Sequence, residues 1–121
     1  MTRTGTRRQL PAIAFAVVLL VTSLLPAPES VGGQVPALLG IPLDKWVHAF
    51  GYGVLTGLLA WGRTARKVTA VAALAGVAVT FGAGIELLQG LVPSRGTSRL
   101  DFVANVIGAV LAGLAWLWYG R

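Results

Sequence analysis

The sequence contains no cysteine, and only 12% of its 121 residues are charged. The absence of cysteine excludes disulfide bonds, thiolate metal ligands and a cysteine nucleophile. A soluble domain usually carries about 25% charged residues, so this chain has too little charge to cover a folded surface in water. Because 55% of the residues are hydrophobic, intrinsic disorder is excluded as well. The class that remains is a small membrane protein of one domain.

Four apolar stretches divide the chain, and they predict membrane-spanning helices at about 10–25, 45–61, 68–91 and 101–119. We therefore expect an all-α membrane protein, a four-transmembrane-helix bundle. A single transmembrane domain over residues 10–121 would follow an N-terminal tail of residues 1–9. The first stretch also has features of a secretory signal, but Pro28 directly follows the best cleavage position, Ala27, which favours an uncleaved anchor.

Lysine and arginine residues are distributed unequally between the alternate loops. Seven of them fall on the side that holds both chain termini, and three fall on the other side, namely Lys45, Arg95 and Arg99. Because basic residues concentrate in cytoplasmic loops, this pattern predicts a multi-pass protein of the cell membrane with both termini cytoplasmic. The same loops account for the net charge of +6, so no nucleic-acid partner is expected.

Small residues recur at helical spacing on three of the stretches. The three stripes are Ala49, Gly53 and Gly57; Ala72, Gly76, Thr80 and Gly84; and Ala104, Gly108 and Ala112. Such stripes let helix backbones approach closely in lipid. They predict close packing within the bundle, and formation of a homo-oligomer is the alternative.

Polar residues concentrate near the outer end of the last three stretches: Asp44, Lys45, His48, Tyr52, Glu86, Gln89, Arg95, Ser98, Asp101 and Asn105. Helical spacing places the members of each helix on one face. A polar group in hydrocarbon is costly unless it is paired. We therefore expect one outward-opening pocket between the last three helices, formed by His48, Tyr52, Glu86, Gln89, Arg95, Asp101 and Asn105. We also expect Arg95 to pair with Glu86 or Asp101.

The order and spacing of these residues resemble the VanZ-like membrane protein family. The resemblance covers about residues 40–115 and rests on Asp44-Lys45-x-x-His48-x-x-x-Tyr52, Glu86-x-x-Gln89 and Pro93-x-Arg95-x-x-Ser98-x-x-Asp101-x-x-x-Asn105-x-x-Gly108. Ser94 stands where relatives often have glycine, which affects the geometry of that turn. The resemblance implies a cell-envelope protein with a link to glycopeptide (teicoplanin) resistance. It implies no particular reaction.

The favoured function is binding of an anionic lipid or a lipid-linked cell-envelope headgroup at the outer leaflet. Arginine grips phosphate with two parallel hydrogen bonds, so Arg95 and Arg99 together with Lys45 would supply the positive charge. The carboxylates of Asp44, Glu86 and Asp101 would hold these cations in place. Membrane lipids are therefore the expected partners, and no cofactor is expected.

Three alternatives remain open. An intramembrane lipid-modifying enzyme would use His48 as a general base, or His48, Glu86 and Asp101 around a divalent ion. Since the sequence has no established metal-binding signature, no resident metal is predicted. A proton-linked carrier would use Glu86 at membrane depth. Finally, the polar network would serve only to fix the bundle.

Overall fold

The computed structural model describes residues 3–24, 37–91 and 99–119. Within them the chain forms four α-helices, α1 (Arg3–Leu24), α2 (Leu43–Arg63), α3 (Val68–Gln89) and α4 (Arg99–Tyr119). Two short strands, β1 (Ala37–Leu38) and β2 (Ile41–Pro42), pair as an antiparallel hairpin before α2. The predicted all-α class and its four helices are confirmed.

Three of the helices, α1, α3 and α4, are long and apolar enough to cross a membrane. Helix α2 is not among them, because charged and polar residues, including Lys45, His48 and Arg63, together with four glycines lower its mean hydropathy. Its 21 residues still give a length of about 32 Å, close to the thickness of the hydrocarbon core. A fourth span through α2 therefore stays a prediction.

Contacts between terminal turns fix the direction of the helices. Lys45 and Asp101, in the first turns of α2 and α4, form an ion pair, so these two helices run parallel with their N-terminal ends side by side. Gln89 in the last turn of α3 donates a hydrogen bond to the backbone of Ser23 in the last turn of α1. One end of the bundle thus holds the first turns of α2 and α4 and the last turns of α1 and α3. The candidate polar residues concentrate at this end.

Helix α1 begins at Arg3, earlier than the predicted position 10, and Pro11 lies inside it. Proline lacks a backbone N–H and weakens a helix at that point. The turn before it is held to α2 because Arg8 Nη2 donates a 2.8 Å hydrogen bond to Trp61 O and the guanidinium lies 4.0 Å from the centre of the Trp61 ring. Gly62 permits this approach, since an added Cβ there would lie 2.8 Å from Arg8 O.

Small residues bring α2 and α4 into close backbone contact. A Cβ added at Gly108 would lie 1.9 Å from Ala49 O, and one added at Gly53 would lie 3.2 Å from Gly108 O and 3.5 Å from Ala112 Cβ. Side chains larger than these would force the helices apart. The predicted close packing is confirmed for Ala49 and Gly53 on α2 and for Gly108 and Ala112 on α4. It is not confirmed for Gly57, where an added Cβ would meet no atom within 4 Å in the described part of the chain.

The third stripe, on α3, does not pack within the bundle, and this prediction is wrong. All four of its residues are exposed, and an added Cβ at Gly76 or Gly84 would meet no neighbouring atom within 4 Å in the described part of the chain. Helix α3 buries a different face, formed by Val71, Ala78, Gly82, Ile85, Glu86 and Gln89. Exposure to lipid would cost the polar residues on that face more free energy than it costs glycine or alanine. Formation of a homo-oligomer through the exposed stripe stays a prediction.

The hairpin is attached to the start of α2. Trp46 Nε1 donates a 3.0 Å hydrogen bond to Leu38 O. The two turn residues, Leu39 and Gly40, have φ values of +57° and +77°, as a two-residue hairpin turn requires. The sequence does not predict this hairpin, because leucine stands at a position where asparagine, aspartate or glycine is usual.

Candidate functional site

Polar side chains from α2 and α4 meet where the first turns of these helices lie side by side. Lys45 Nζ donates to Asp101 Oδ1 at 2.5 Å, and His48 Nε2 lies 3.6 Å from Asp101 Oδ2. One turn deeper, His48 Nδ1 and Asn105 Oδ1 are 3.1 Å apart. Residues three and four apart share one face of a helix, so the parallel packing of α2 and α4 aligns the two pairs. We call Lys45, His48, Asp101 and Asn105 the polar cluster.

The polar cluster extends from a partly exposed end into a closed interior. The side chains of Lys45, His48 and Asp101 are 17%, 16% and 13% exposed, whereas Asn105 is 1% exposed. Burying a charge is costly unless an opposite charge and hydrogen bonds compensate, and the Lys45–Asp101 pair supplies both. A ligand can therefore reach the cluster at Lys45 and Asp101 rather than at Asn105.

Tyr52 and Gly82 close the inner side of the polar cluster. The rings of His48 and Tyr52 are parallel within 2°, with 6.4 Å between their centroids. A Cβ added at Gly82 on α3 would lie 2.9 Å from Tyr52 Cε1 and 2.8 Å from Asn105 Nδ2. Of the side chains expected to meet, His48, Tyr52, Asp101 and Asn105 do so. In the described residues, Tyr52 and Asn105 pack against Gly82 rather than lining an open pocket. Sequence reasoning missed Gly82, whose position four residues before Glu86 was the available signal.

The two polar residues predicted on α3 have different surroundings. Glu86 is buried on the same face of α3 as Gly82, one helical turn further along, so it lies beside the polar cluster as expected. Gln89 is also buried, but its Nε2 donates a 2.9 Å hydrogen bond to Ser23 O on α1. The last carbonyls of a helix have no partner within that helix. This explains why Gln89 donates to the end of α1 instead of joining the cluster.

Of the remaining predicted site residues, only Asp44 and Arg99 fall within the described residues. Asp44 is the second residue of α2, which begins at Leu43 rather than at the predicted position 45. Arg95 and Ser98 lie outside the described residues, and so does the predicted pairing of Arg95 with a carboxylate. Arg99 is the first residue of α4 and is exposed, two positions before Asp101.

The use of His48 as a general base stays a prediction. Such a base needs one ring nitrogen within reach of the substrate. In this structure Nε2 lies 3.6 Å from Asp101 Oδ2 and Nδ1 lies 3.1 Å from Asn105 Oδ1, so a substrate would have to replace one of these contacts. In the described residues, no three or more His, Cys, Asp or Glu side chains are grouped so that they could hold a metal ion, so the set of His48, Glu86 and Asp101 is not assembled there.

No family model, curated protein or solved structure matches this chain. The resemblance to the VanZ-like family therefore rests on the ordered motifs alone. Of the residues that carry it, Lys45, His48, Asp101 and Asn105 form the polar cluster.

Proposed function

We propose that this chain is a small VanZ-like multi-pass protein of the cell membrane that binds an anionic lipid or lipid-linked cell-envelope headgroup. Both termini lie in the cytoplasm, and the headgroup site is the outer end of α2 and α4. The observation that carries the proposal is the parallel packing of these helices, which brings Lys45, Arg99 and two helix N-termini to one place. The link to teicoplanin resistance follows from the family resemblance.

Two parallel N-termini create a local preference for negative charge. Each helix N-terminus carries about half a positive charge and several backbone N–H groups without a partner in the helix. Because α2 and α4 point the same way, their positive ends lie next to each other and the effects add. One acidic residue stands in the first turn of each helix, Asp44 in α2 and Asp101 in α4, and a bound phosphate would add a further anion at the two helix ends.

The cations at this end have different roles in the proposal. Asp101 fixes the position of Lys45 Nζ, so the ammonium group is already oriented before a ligand arrives. Arg99 is exposed at the first position of α4, where its planar guanidinium can form two parallel hydrogen bonds with a phosphate. Lys45 then contributes a fixed positive charge, and Arg99 contributes the directional hydrogen bonds.

A purely structural network is the second candidate, and one observation favours it. The inner residues Asn105 and Tyr52 are almost fully buried and are packed against Gly82, as in a core that no ligand enters. This reading predicts that changes at the outer end alter stability only. The lipid-binding proposal predicts a change in lipid preference that is independent of stability.

Native mass spectrometry can distinguish the lipid-binding hypothesis from the purely structural one. The detergent-purified protein is mixed with equal amounts of phosphatidylglycerol and phosphatidylcholine, and the lipid retained after gas-phase release of the detergent is counted. We expect preferential retention of phosphatidylglycerol, and we expect Arg99→Gln to reduce that preference several-fold with an unchanged melting temperature.

Arg63→Gln is the matched control, because Arg63 is an exposed arginine at the opposite end of α2. It should leave the preference intact. Equal retention of the two lipids by the unmodified protein, or equal losses in both variants, would overturn the proposed function.

A further inference from the structure

An apolar groove of about 400 Å³ follows the contact line between α2 and α4 at the surface of the bundle. Gly53 and Gly108 form its floor, since neither has a side chain to fill the space. Trp46, Phe50 and Leu111 are among its lining residues and provide the larger side chains. Phe50 is 75% exposed and Leu111 is 60% exposed, so the groove is open on the side that would face lipid.

The groove begins directly next to the polar cluster. Trp46 follows Lys45 in the sequence, and Ala49, another lining residue, lies one helical turn after Lys45. From Trp46 to Val54 the lined part of α2 extends about 12 Å along the helix axis. This is slightly less than one leaflet of a bilayer, whose half-thickness is about 15 Å. The charged end of α2 and α4 and the apolar groove thus follow one another along the contact between these two helices.

We propose that this groove holds a hydrocarbon chain of the same anionic lipid whose headgroup lies at Lys45 and Arg99. The inference rests on the proposed function, and it specifies the ligand as a membrane amphiphile rather than a soluble anion. An inorganic phosphate would bind to the cations but would not fill the groove. A lipid anchored by its phosphate has its chain directed into the leaflet, where the groove lies.

The wall of the groove is held in position before a lipid binds. The indole of Trp46 cannot rotate freely, because its Nε1 is hydrogen-bonded to Leu38 O in the hairpin. The floor is equally fixed, since Gly108 and Ala49 are in backbone contact. In a bilayer, the free lipid chain is already in an apolar medium, so complementary van der Waals packing supplies the attraction. A preformed groove loses little conformational entropy when such packing forms.

Photo-crosslinking with lipid analogues tests the proposal on the unmodified protein. Phosphatidylglycerol and phosphatidylcholine, each with the same diazirine in the acyl chain, are reconstituted separately with the protein and irradiated. The modified residues are then mapped by mass spectrometry. We expect phosphatidylglycerol to label Phe50 and Leu111 several-fold more than phosphatidylcholine does, and we expect the two lipids to label Val17 on α1 equally.

A pair of variants makes the result specific to the groove. Leu111→Trp narrows the groove from its exposed rim and should reduce the phosphatidylglycerol labelling of Phe50 several-fold. Val17→Trp adds the same bulk at a position of similar exposure on α1 and should leave it unchanged. Both variants should retain the melting temperature of the unmodified protein, because both positions are more than half exposed.

The outcomes distinguish the groove from the headgroup site. If phosphatidylglycerol is preferred in the mass-spectrometric assay but labels Phe50 no more than phosphatidylcholine does, the groove proposal is wrong and the headgroup site stands. Undiminished labelling of Phe50 in Leu111→Trp would also overturn the groove proposal. If phosphatidylglycerol is not preferred at all, the proposed function and this inference fail together.

Discussion

Lys45 Nζ lies 2.5 Å from Asp101 Oδ1, and this ion pair joins the first turns of two helices that run parallel. Neighbouring parallel helices place their positive ends side by side, which is unfavourable without a nearby anion. Asp101 supplies that anion and at the same time holds Lys45 Nζ beside the first turn of α4. The pair therefore connects the packing of α2 against α4 with the site proposed for an anionic headgroup.

Lys45→Met should destabilise the protein by about 1.5–3 kcal/mol, the range for a hydrogen bond to a charged group. The loss arises because Asp101 would keep its partly buried carboxylate without its closest cation. The double variant Lys45→Met/Asp101→Asn should recover part of the loss, since it removes the uncompensated charge. Chemical unfolding in detergent measures both free energies. Identical stabilities for the single and double variants would show that the pair does not couple α2 to α4.

Gly82→Ala should destabilise the protein by about 1–3 kcal/mol through overpacking. Its Cβ would lie within 2.9 Å of atoms of both Tyr52 and Asn105. Gly76→Ala on the same helix is the control, because its Cβ would meet open space and alanine favours the helix over glycine. Thermal unfolding of the two variants gives the comparison. A neutral effect at Gly82 would mean that α3 is not packed against the polar cluster.

Gln89→Leu should lower stability by about 1 kcal/mol, because it removes the hydrogen bond to Ser23 O at the end of α1. Lipid preference should not change, since Gln89 faces α1 rather than the polar cluster. The same mass-spectrometric competition between two lipids checks this. A loss of preference for phosphatidylglycerol in Gln89→Leu would place Gln89 at the ligand site after all.

Cysteine labelling can test the proposed topology, because the chain has no cysteine of its own. Leu39→Cys at the tip of the hairpin and Thr64→Cys in the turn after α2 introduce single exposed thiols at the two ends of α2. A membrane-impermeant maleimide added to intact cells should label position 39 and not position 64. Labelling of both positions from outside would exclude a membrane span by α2.

The helices and the main polar contacts follow from simple features of the sequence. Apolar stretches of sufficient length predict the four helices, and the spacing of His48, Asp101 and Asn105 predicts that their side chains turn inward. The structure brings these three together. Such predictions succeed because the free energy of a polar group in lipid depends mainly on its own chemistry, whatever its detailed neighbours are.

Other features depend on neighbours that a single sequence does not specify. Gly76 and Gly82 are both glycines on α3, yet Gly76 is exposed and Gly82 packs against two side chains. Gln89 resembles a member of the polar cluster by spacing, but it donates its hydrogen bond to the end of α1. Which face of α3 is buried is decided by competition among such contacts, and spacing alone predicts only that one face will be.

The distance from Lys45 Nζ to a lipid phosphorus atom is the most direct test of the proposed headgroup site. The chain has two lysines, Lys45 at the proposed site and Lys67 between α2 and α3 at the opposite end, so ¹⁵Nζ labelling of lysine carries its own control. In phosphatidylcholine bilayers with one phosphatidylglycerol per protein, ¹⁵N–³¹P dipolar recoupling should show the phosphatidylglycerol phosphorus close to Lys45 and not to Lys67. Coupling of the phosphatidylglycerol phosphorus to Lys67 alone, or to neither lysine, would contradict the proposed headgroup site at Lys45.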